Sequence, residues 1–537
     1  MSYRLLFVST FLVALNAPTA LVPVRASDAS EGVSVPELRY AVDARESRGA
    51  DRLAALYRAR HFHPLWQSGA MVQALHAAWL DARRDGVLPA ELIAGIGADP
   101  FAAGAPSASD AVERELLLSD ALLALLDRLA NGQTDARGLT PAPDVPLAWR
   151  DVEAMDTDAL AVLASPAGVR ALIDRARPRT ALYRRLHAAM GAELERVELP
   201  TIGPGPTLET GSTGVRVTRL RARLLPEGDL APVGLYRAGR WDPQLKAAVS
   251  TFQARNGLEP DGKVGPRTLA RLDVSRRSRI DALRVNLERA RWYALALGEQ
   301  DRVVVNIPDY RLSVHLDGEI ALQTPVMVGS RKHRTPVFAS RLDRVVLDPT
   351  WTVPRSIVAD TLFEQAQADP AAFAASGYRL RDAHGVMHAP DEIDWSAMTP
   401  ARFNDDYWVV QSPGSGNALG SVKFLFDNPY SVFLHDTPAR HLFARAERAV
   451  SRGCVRVQDP QRLEALLLGT RAAMDQPAID SLRRRRDNAT LPLSEPIAVG
   501  LLYWTADVDA RGRLRLLPDV YGRDLAILQA LQPPLPG

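Results

Sequence analysis

The chain has 537 residues, 47% of them apolar and 24% charged, so it is too long for one hydrophobic core and has the composition of a multi-domain globular protein. Lys+Arg (65) and Asp+Glu (63) nearly cancel, which excludes a global electrostatic attraction to nucleic acid or a membrane surface. The single cysteine, Cys454, excludes an internal disulfide.

Arg4, the apolar run Leu5 to Leu15 and the small residues around Ala26 predict a signal peptide over residues 1–26. Export to the periplasm follows, with no integral membrane segment after cleavage, because the run falls short of the ~20 residues that span a bilayer. An uncleaved N-terminal anchor is the alternative. In an oxidising compartment a lone thiol is a liability unless it has a use, so Cys454 asks for a role.

From 35 to 204 the pattern is helical and rich in Ala, Leu and Arg, with ELLLSDALLALLDRL apolar enough to lie between other helices: a scaffold domain whose cluster Tyr57, Phe62 and Trp66 belongs to its core. Pro200 to Pro206 marks a linker. Residues 207–273 predict three short helices opened by Gly214, Asp242-Pro243 and Gly265-Pro266 around one small core. The segments GSTGVRVTRLRARL and AVSTFQARNGLEPDGKVGPRTLARL resemble the peptidoglycan-binding module of wall enzymes, which implies affinity for glycan or stem peptide.

A connecting helix is expected over 278–300, and beyond it VVVNI, RLSVHL, ALQTPVMVG and RVVLDPTWTV alternate as half-buried strands do. Between 357 and 404 the alternation lapses into an Ala-rich, then loop-rich insertion, expected to be a lid over a cleft. Strands resume at 407–411, 422–426 and 430–435, a helix is expected over 441–450, and another from Asp459-Pro460 to Gly469. A hairpin around Ala510-Arg511-Gly512 is expected to complete the sheet, ending a mostly β domain over 301–530. The fold class is multi-domain α+β.

His435 ends an apolar strand, YSVFLH, where a side chain emerges at the sheet's rim, and Cys454 follows nineteen positions later in SRGCVRV. A thiol with an ordinary pKa near ~8.5 needs a base or positive field to become nucleophilic, and His435 is the candidate base. Gly453 permits a tight turn that brings main-chain N–H groups to a developing oxyanion. If residues 454–457 are extended, Val455 and Val457 face the core while Cys454 and Arg456 share the cleft side, where a guanidinium favours thiolate and pairs with a substrate carboxylate.

HDTP, that spacing, S-x-G-C-V-R-V, SPGSGNALGSVKF and DPTWTVP resemble the L,D-transpeptidase (YkuD) family, specifically its large Gram-negative branch with a scaffold domain, a peptidoglycan-binding module and a lid. The resemblance implies Cys454 as nucleophile and His435 as base. It places Ser451, Arg452 and Gly453 along the oxyanion region, with Arg456, Asp436, Asn417 and Trp351 binding substrate. The implied reaction joins third stem residues of peptidoglycan through a thioester, releasing D-alanine. Susceptibility to carbapenems and association with other wall synthases follow by the same analogy, and no cofactor or metal is implied. A cysteine L,D-carboxypeptidase or amidase, and a non-catalytic wall-binding scaffold, are the alternatives. Arg452 stands where many members have His, whose main-chain carbonyl is a candidate for orienting the base. Asp348 replaces the common Asn before P-T-W and looks peripheral. His61, His63, His384 and His388 lack metal-ligand spacing, no S-x-x-K occurs, and Arg483 to Arg486 reads as a solvated basic run.

Overall fold

The computed structural model describes residues 33–45, 50–97, 99–101, 108–139, 162–231, 239–297, 301–472, 474–485 and 488–531. The expected signal peptide lies outside them. Among the described residues no helix is long and apolar enough to cross a membrane. The chain forms two compact units: one holds the residues up to Asp81, Leu92–Leu126 and those ending at Ala176, the other Ala82–Glu91, those following Asp127 and everything from Arg177. The helical stretch 35–204 is therefore shared between both.

In the first unit Ser34 caps the helix Val35–Asp43 with a capping box closed by Glu37. Tyr57 and Trp66 are fully buried. Their polar tips are satisfied, since the Tyr57 hydroxyl bonds Glu115 at 2.8 Å and the indole N–H bonds Ser119 at 3.0 Å. Phe62 is only half-buried.

In the second unit the helices Val215–Leu224, Pro243–Arg255 and Pro266–Leu272 enclose Val217, Leu220, Leu245, Val249 and Phe252. Asp242 caps the second, accepting the Leu245 N–H at 2.8 Å. The long helix Arg276–Leu297 then packs against Ala181–Glu195.

The strands are β1 (Arg302–Asn306), β2 (Arg311–Leu316), β3 (Glu319–Gly329), β4 (Phe338–Leu347), β5 (Trp351–Thr352), β6 (Tyr378–Asp382), β7 (Met387–His388), β8 (Tyr407–Gln411), β9 (Val422–Phe426), β10 (Leu434–His435), β11 (Ala449–Ser451), β12 (Val455–Val457), β13 (Thr490–Leu502), β14 (Ala506–Val508) and β15 (Leu514–Leu516). Nine of them form one mixed sheet in the order β11-β3-β12-β10-β9-β4-β13-β1-β2, and β2 pairs again with β3, so the sheet closes on itself. Val303, Leu312, Val326, Val345, Phe424, Leu434 and Val455 fill its interior. The insertion carries its own sheet, β5-β8-β6-β7, and its own core of Val358, Leu362, Phe363, Phe373 and Phe403.

Four local expectations are corrected. The strand expected over 430–435 is only Leu434–His435, because the Asn428 carboxamide binds the main chain of Tyr430 and Val432 and Ser431 turns left-handed at φ 54°. The helix expected over 441–450 is a 3-10 turn, Arg440–Ala444, followed by β11, whose approach is held by Arg448 on the Val326 and Tyr310 carbonyls. The helix Pro460–Arg471 begins as expected, with Asp459 at its N-cap and Pro460 in its first turn, but runs through Gly469, and the Asp459 carboxylate accepts the Thr324 hydroxyl at 2.8 Å in place of a helix N–H. β13 joins the main sheet, whereas the β14–β15 hairpin forms a separate one.

Candidate active site

Adjacent strands β9, β10 and β12 place Phe424, Leu434 and Val455 opposite one another, all fully buried in the interior. One position along, the pleat turns Lys423, His435 and Arg456 to the other face, again directly opposite one another. Val346 beyond Lys423 and Met327 beyond Arg456 close the row with buried apolar side chains. Cys454 immediately precedes β12, two residues before Arg456, whose guanidinium acts on the thiol. The residue is partly buried, with its sulfur 3.8 Å from the Ser431 carbonyl. The Phe433 ring lies 5.6 Å from the imidazole.

His435 is buried, with Nδ1 2.5 Å from the Asp436 carbonyl oxygen. A carbonyl only accepts, so in the neutral ring Nδ1 carries the proton and Nε2 keeps its lone pair. The imidazole is therefore oriented by the Asp436 main chain. The Asp436 carboxylate, expected to bind substrate, is instead engaged by the Ser421 N–H and hydroxyl, both at 3.0 Å, and by Arg440 at 3.1 Å. Only glycine fits at 420, because a Cβ there would lie 2.4 Å from that carboxyl group. The Ser421 carbonyl accepts the Asp348 N–H at 2.9 Å and Arg483 at 3.2 Å. Asp348 is thus part of the shell behind His435 rather than peripheral. Arg483 is pinned to that shell and to Glu464 rather than solvated, while Arg486 lies outside the described residues.

The loop around Cys454 is held from within. The Ser451 hydroxyl donates to the Cys454 carbonyl at 2.6 Å and accepts the Gly453 N–H at 3.1 Å. Gly453 has φ +121°, a conformation that a side chain would strain, and its carbonyl accepts the Thr335 hydroxyl at 2.7 Å. Ser451 and Gly453 were expected along the oxyanion region, but their donors are already engaged. The Cys454 main-chain N–H has no hydrogen-bond partner among the described residues. The Arg452 guanidinium points to the insertion, 2.8 Å from Asp360 and 3.1 Å from the Thr361 hydroxyl.

Of the expected substrate-binding residues, Asn417 is buried and its carboxamide is satisfied inside the fold: Nδ2 donates to Pro349 and Ser412 carbonyls at 3.0 Å and Oδ1 accepts the Leu419 N–H at 2.8 Å. That leaves it shaping the loop before β9. Trp351, on β5, packs partly buried against the insertion's core. Arg456 alone remains unengaged: it has no carboxylate partner among the described residues, and its Nε is buried without a hydrogen bond.

Burial first, then the Arg456 guanidinium and more weakly Lys423, pushes the His435 pKa down to about 3, against main-chain hydrogen bonds with Asp436 and Leu419. Burial raises the Cys454 thiol, opposed by a main-chain hydrogen bond with Phe433 and by Arg456. Both shifts favour the neutral forms, thiol and imidazole, against the thiolate that a neighbouring guanidinium favours. Lys423, half-buried with its Nζ 6.0 Å from the Phe433 ring centre, has a pKa lowered by burial and no counter-ion among the described residues. Lys423 and Phe433 were not singled out from the sequence. Alternation back from His435 could have found Phe433.

A cysteine and a histidine at neighbouring strands of one closed mixed sheet are the residue types that support acyl transfer. Residues 300–471 match the family model of the L,D-transpeptidase catalytic domain (YkuD), residues 51–190 that of the scaffold domain and residues 213–272 that of the "putative peptidoglycan binding domain". A "putative L,D-transpeptidase" of Haemophilus influenzae is 34% identical over 225 residues, 42% of this chain and 45% of that protein, so the chain spans under half of that relative's length. Among solved structures, an L,D-transpeptidase from Stackebrandtia nassauensis is 15% identical, covering 56% of this chain and 96% of its own, at a TM-score of 0.24. One from Xylanimonas cellulosilytica is 16% identical, covering 56% and 100%, at 0.18. The chain carries an L,D-transpeptidase (YkuD) catalytic domain together with a scaffold domain and a peptidoglycan-binding domain.

Proposed function

We propose that the protein is a periplasmic L,D-transpeptidase, exported by its first 26 residues, with Cys454 as nucleophile and His435 as base. The observation that carries this reading is His435, its Nδ1 held by the Asp436 carbonyl, on the strand next to the one that the chain's one thiol leads into. Cys454 attacks the carbonyl of the donor's third stem residue, giving its proton to Nε2. The C–N bond breaks, the leaving D-alanine amine takes that proton, and a thioester remains. The side-chain amine of a neighbouring stem then attacks, losing its proton to His435 and restoring the thiol. The free Cys454 N–H is the oxyanion donor, and Arg456 takes a substrate carboxylate.

Residues 35–204 serve as scaffold, 207–273 hold the wall, 301–530 catalyse, and 357–404 act as the lid. Other wall synthases are natural partners and carbapenems natural acylating agents of such a site. Arg452 ties the lid to the nucleophile loop. Because that ion pair is exposed, Arg452→Ala is expected to change stability by less than about 1 kcal/mol, yet to raise the hydrolysed fraction of product severalfold as water reaches the thioester. Quantifying tripeptide against dimer decides it, and an unaltered ratio removes the lid role.

The overall test is incubation with muropeptide tetrapeptides and mass analysis. Dimers linked through third residues are expected; tripeptides alone make the protein a carboxypeptidase, and no product at all returns it to a wall-binding scaffold.

A further inference from the structure

Three cross-strand neighbours share the cleft floor: Arg456 on the thiol's strand, His435 in the middle and Lys423 on the far strand. Taking the acyl transfer proposed above as its basis, we infer that Lys423 recognises the C-terminal carboxylate of the donor peptide and so restricts cleavage to the bond next to a free chain end.

The order of the strands sets the direction of the donor. The attacked carbonyl carbon must meet the Cys454 sulfur on the β12 side, and the leaving nitrogen must meet Nε2 of His435 on β10, so the leaving residue runs on toward β9. One residue carries its carboxylate carbon about 2.5 Å beyond its nitrogen. The C–O bond and a charge-assisted N–H···O bond of about 2.8 Å carry the reach past the ~4.8 Å that separates one strand from the next, toward a lysine whose side chain has length to spare. The group waiting there is Lys423. It has no carboxylate, carbonyl or hydroxyl partner among the described residues, though it is half-buried between Val346 and His435 in the row. Its ammonium is not among the buried atoms that lack a hydrogen bond, so it reaches solvent and stands open to a ligand's anion. Arg456, on the other side of His435, then faces the body of the stem.

Donor binding also changes the base. Both cations depress the basicity of His435 in the free enzyme, and a carboxylate arriving on each cancels part of that field, so the imidazole becomes a better proton acceptor once substrate is in place.

The test compares two tetrapeptide-stem donors, one with a free C-terminal carboxylate and one ending in a carboxamide, by the release of the terminal residue. Wild type is expected to prefer the free acid by at least about tenfold in kcat/KM. Lys423→Met should bring the ratio near one, mainly through KM, without lowering the melting temperature. Lys423→Arg should restore it. A wild-type ratio near one, or equal losses on both donors in Lys423→Met, overturns the inference while leaving the transpeptidase reading intact. Release from neither donor by wild type overturns both.

Discussion

Cys454→Ala is expected to lower kcat/KM for cross-linking by a factor on the order of 10⁴ or more, and to abolish the mass increase of one carbapenem equivalent that wild type shows. The chain has no second thiol to take over, and no serine hydroxyl of the loop is free, since Ser451 is held between Gly453 and the Cys454 carbonyl. Removing the sulfur of this partly buried residue leaves the loop's hydrogen bonds in place, because they are made by Ser451, Gly453 and Thr335. Stability should therefore fall by about 1 kcal/mol or less, and binding to isolated peptidoglycan through residues 213–272 should persist. A variant that still forms dimers, or still gains the adduct, would move the nucleophile elsewhere and end the acyl-enzyme reading.

The strand pattern made the catalytic region legible because interior and cleft residues alternate: Phe424 and Leu434 face inward, Lys423 and His435 outward. Helix starts were equally visible where Asp242 or Pro266 set them. Register was not legible. That Lys423 stands opposite His435 depends on the loop between β9 and β10, which is shaped by the Asn428 carboxamide and a left-handed Ser431. The two short elements around the nucleophile went wrong for a related reason: segments of two or three residues are decided by long-range contacts such as Arg448 on Tyr310, not by local propensity. Residue type also misled at Asn417 and Asp436. Both are polar, but their side chains are satisfied within the fold, and only the geometry separates such groups from Arg456, whose Nε is buried without a hydrogen bond.

His435→Gln is expected to reduce kcat/KM by about 10³–10⁴, because the neutral thiol then has no acceptor for its proton during attack. The variant also reports on the state of the base through its pH dependence. With its folded pKa lowered to about 3, below the ~6.5 of an unfolded histidine, His435 binds fewer protons folded than unfolded in that interval. Its contribution to stability is complete above pH 6.5 and is lost as pH falls toward 3. Glutamine does not titrate, so its melting temperature relative to wild type should rise between pH 7 and pH 4.5. An equal offset at both pH values would mean that the imidazole is not held neutral by its surroundings. The same neutrality predicts that wild-type kcat/KM holds as pH drops from 7 to 5, where an ordinary histidine would have become protonated and lost its lone pair. A fall of tenfold over that range would show that His435 titrates normally in the free enzyme, and that the two cations beside it do not reach the ring.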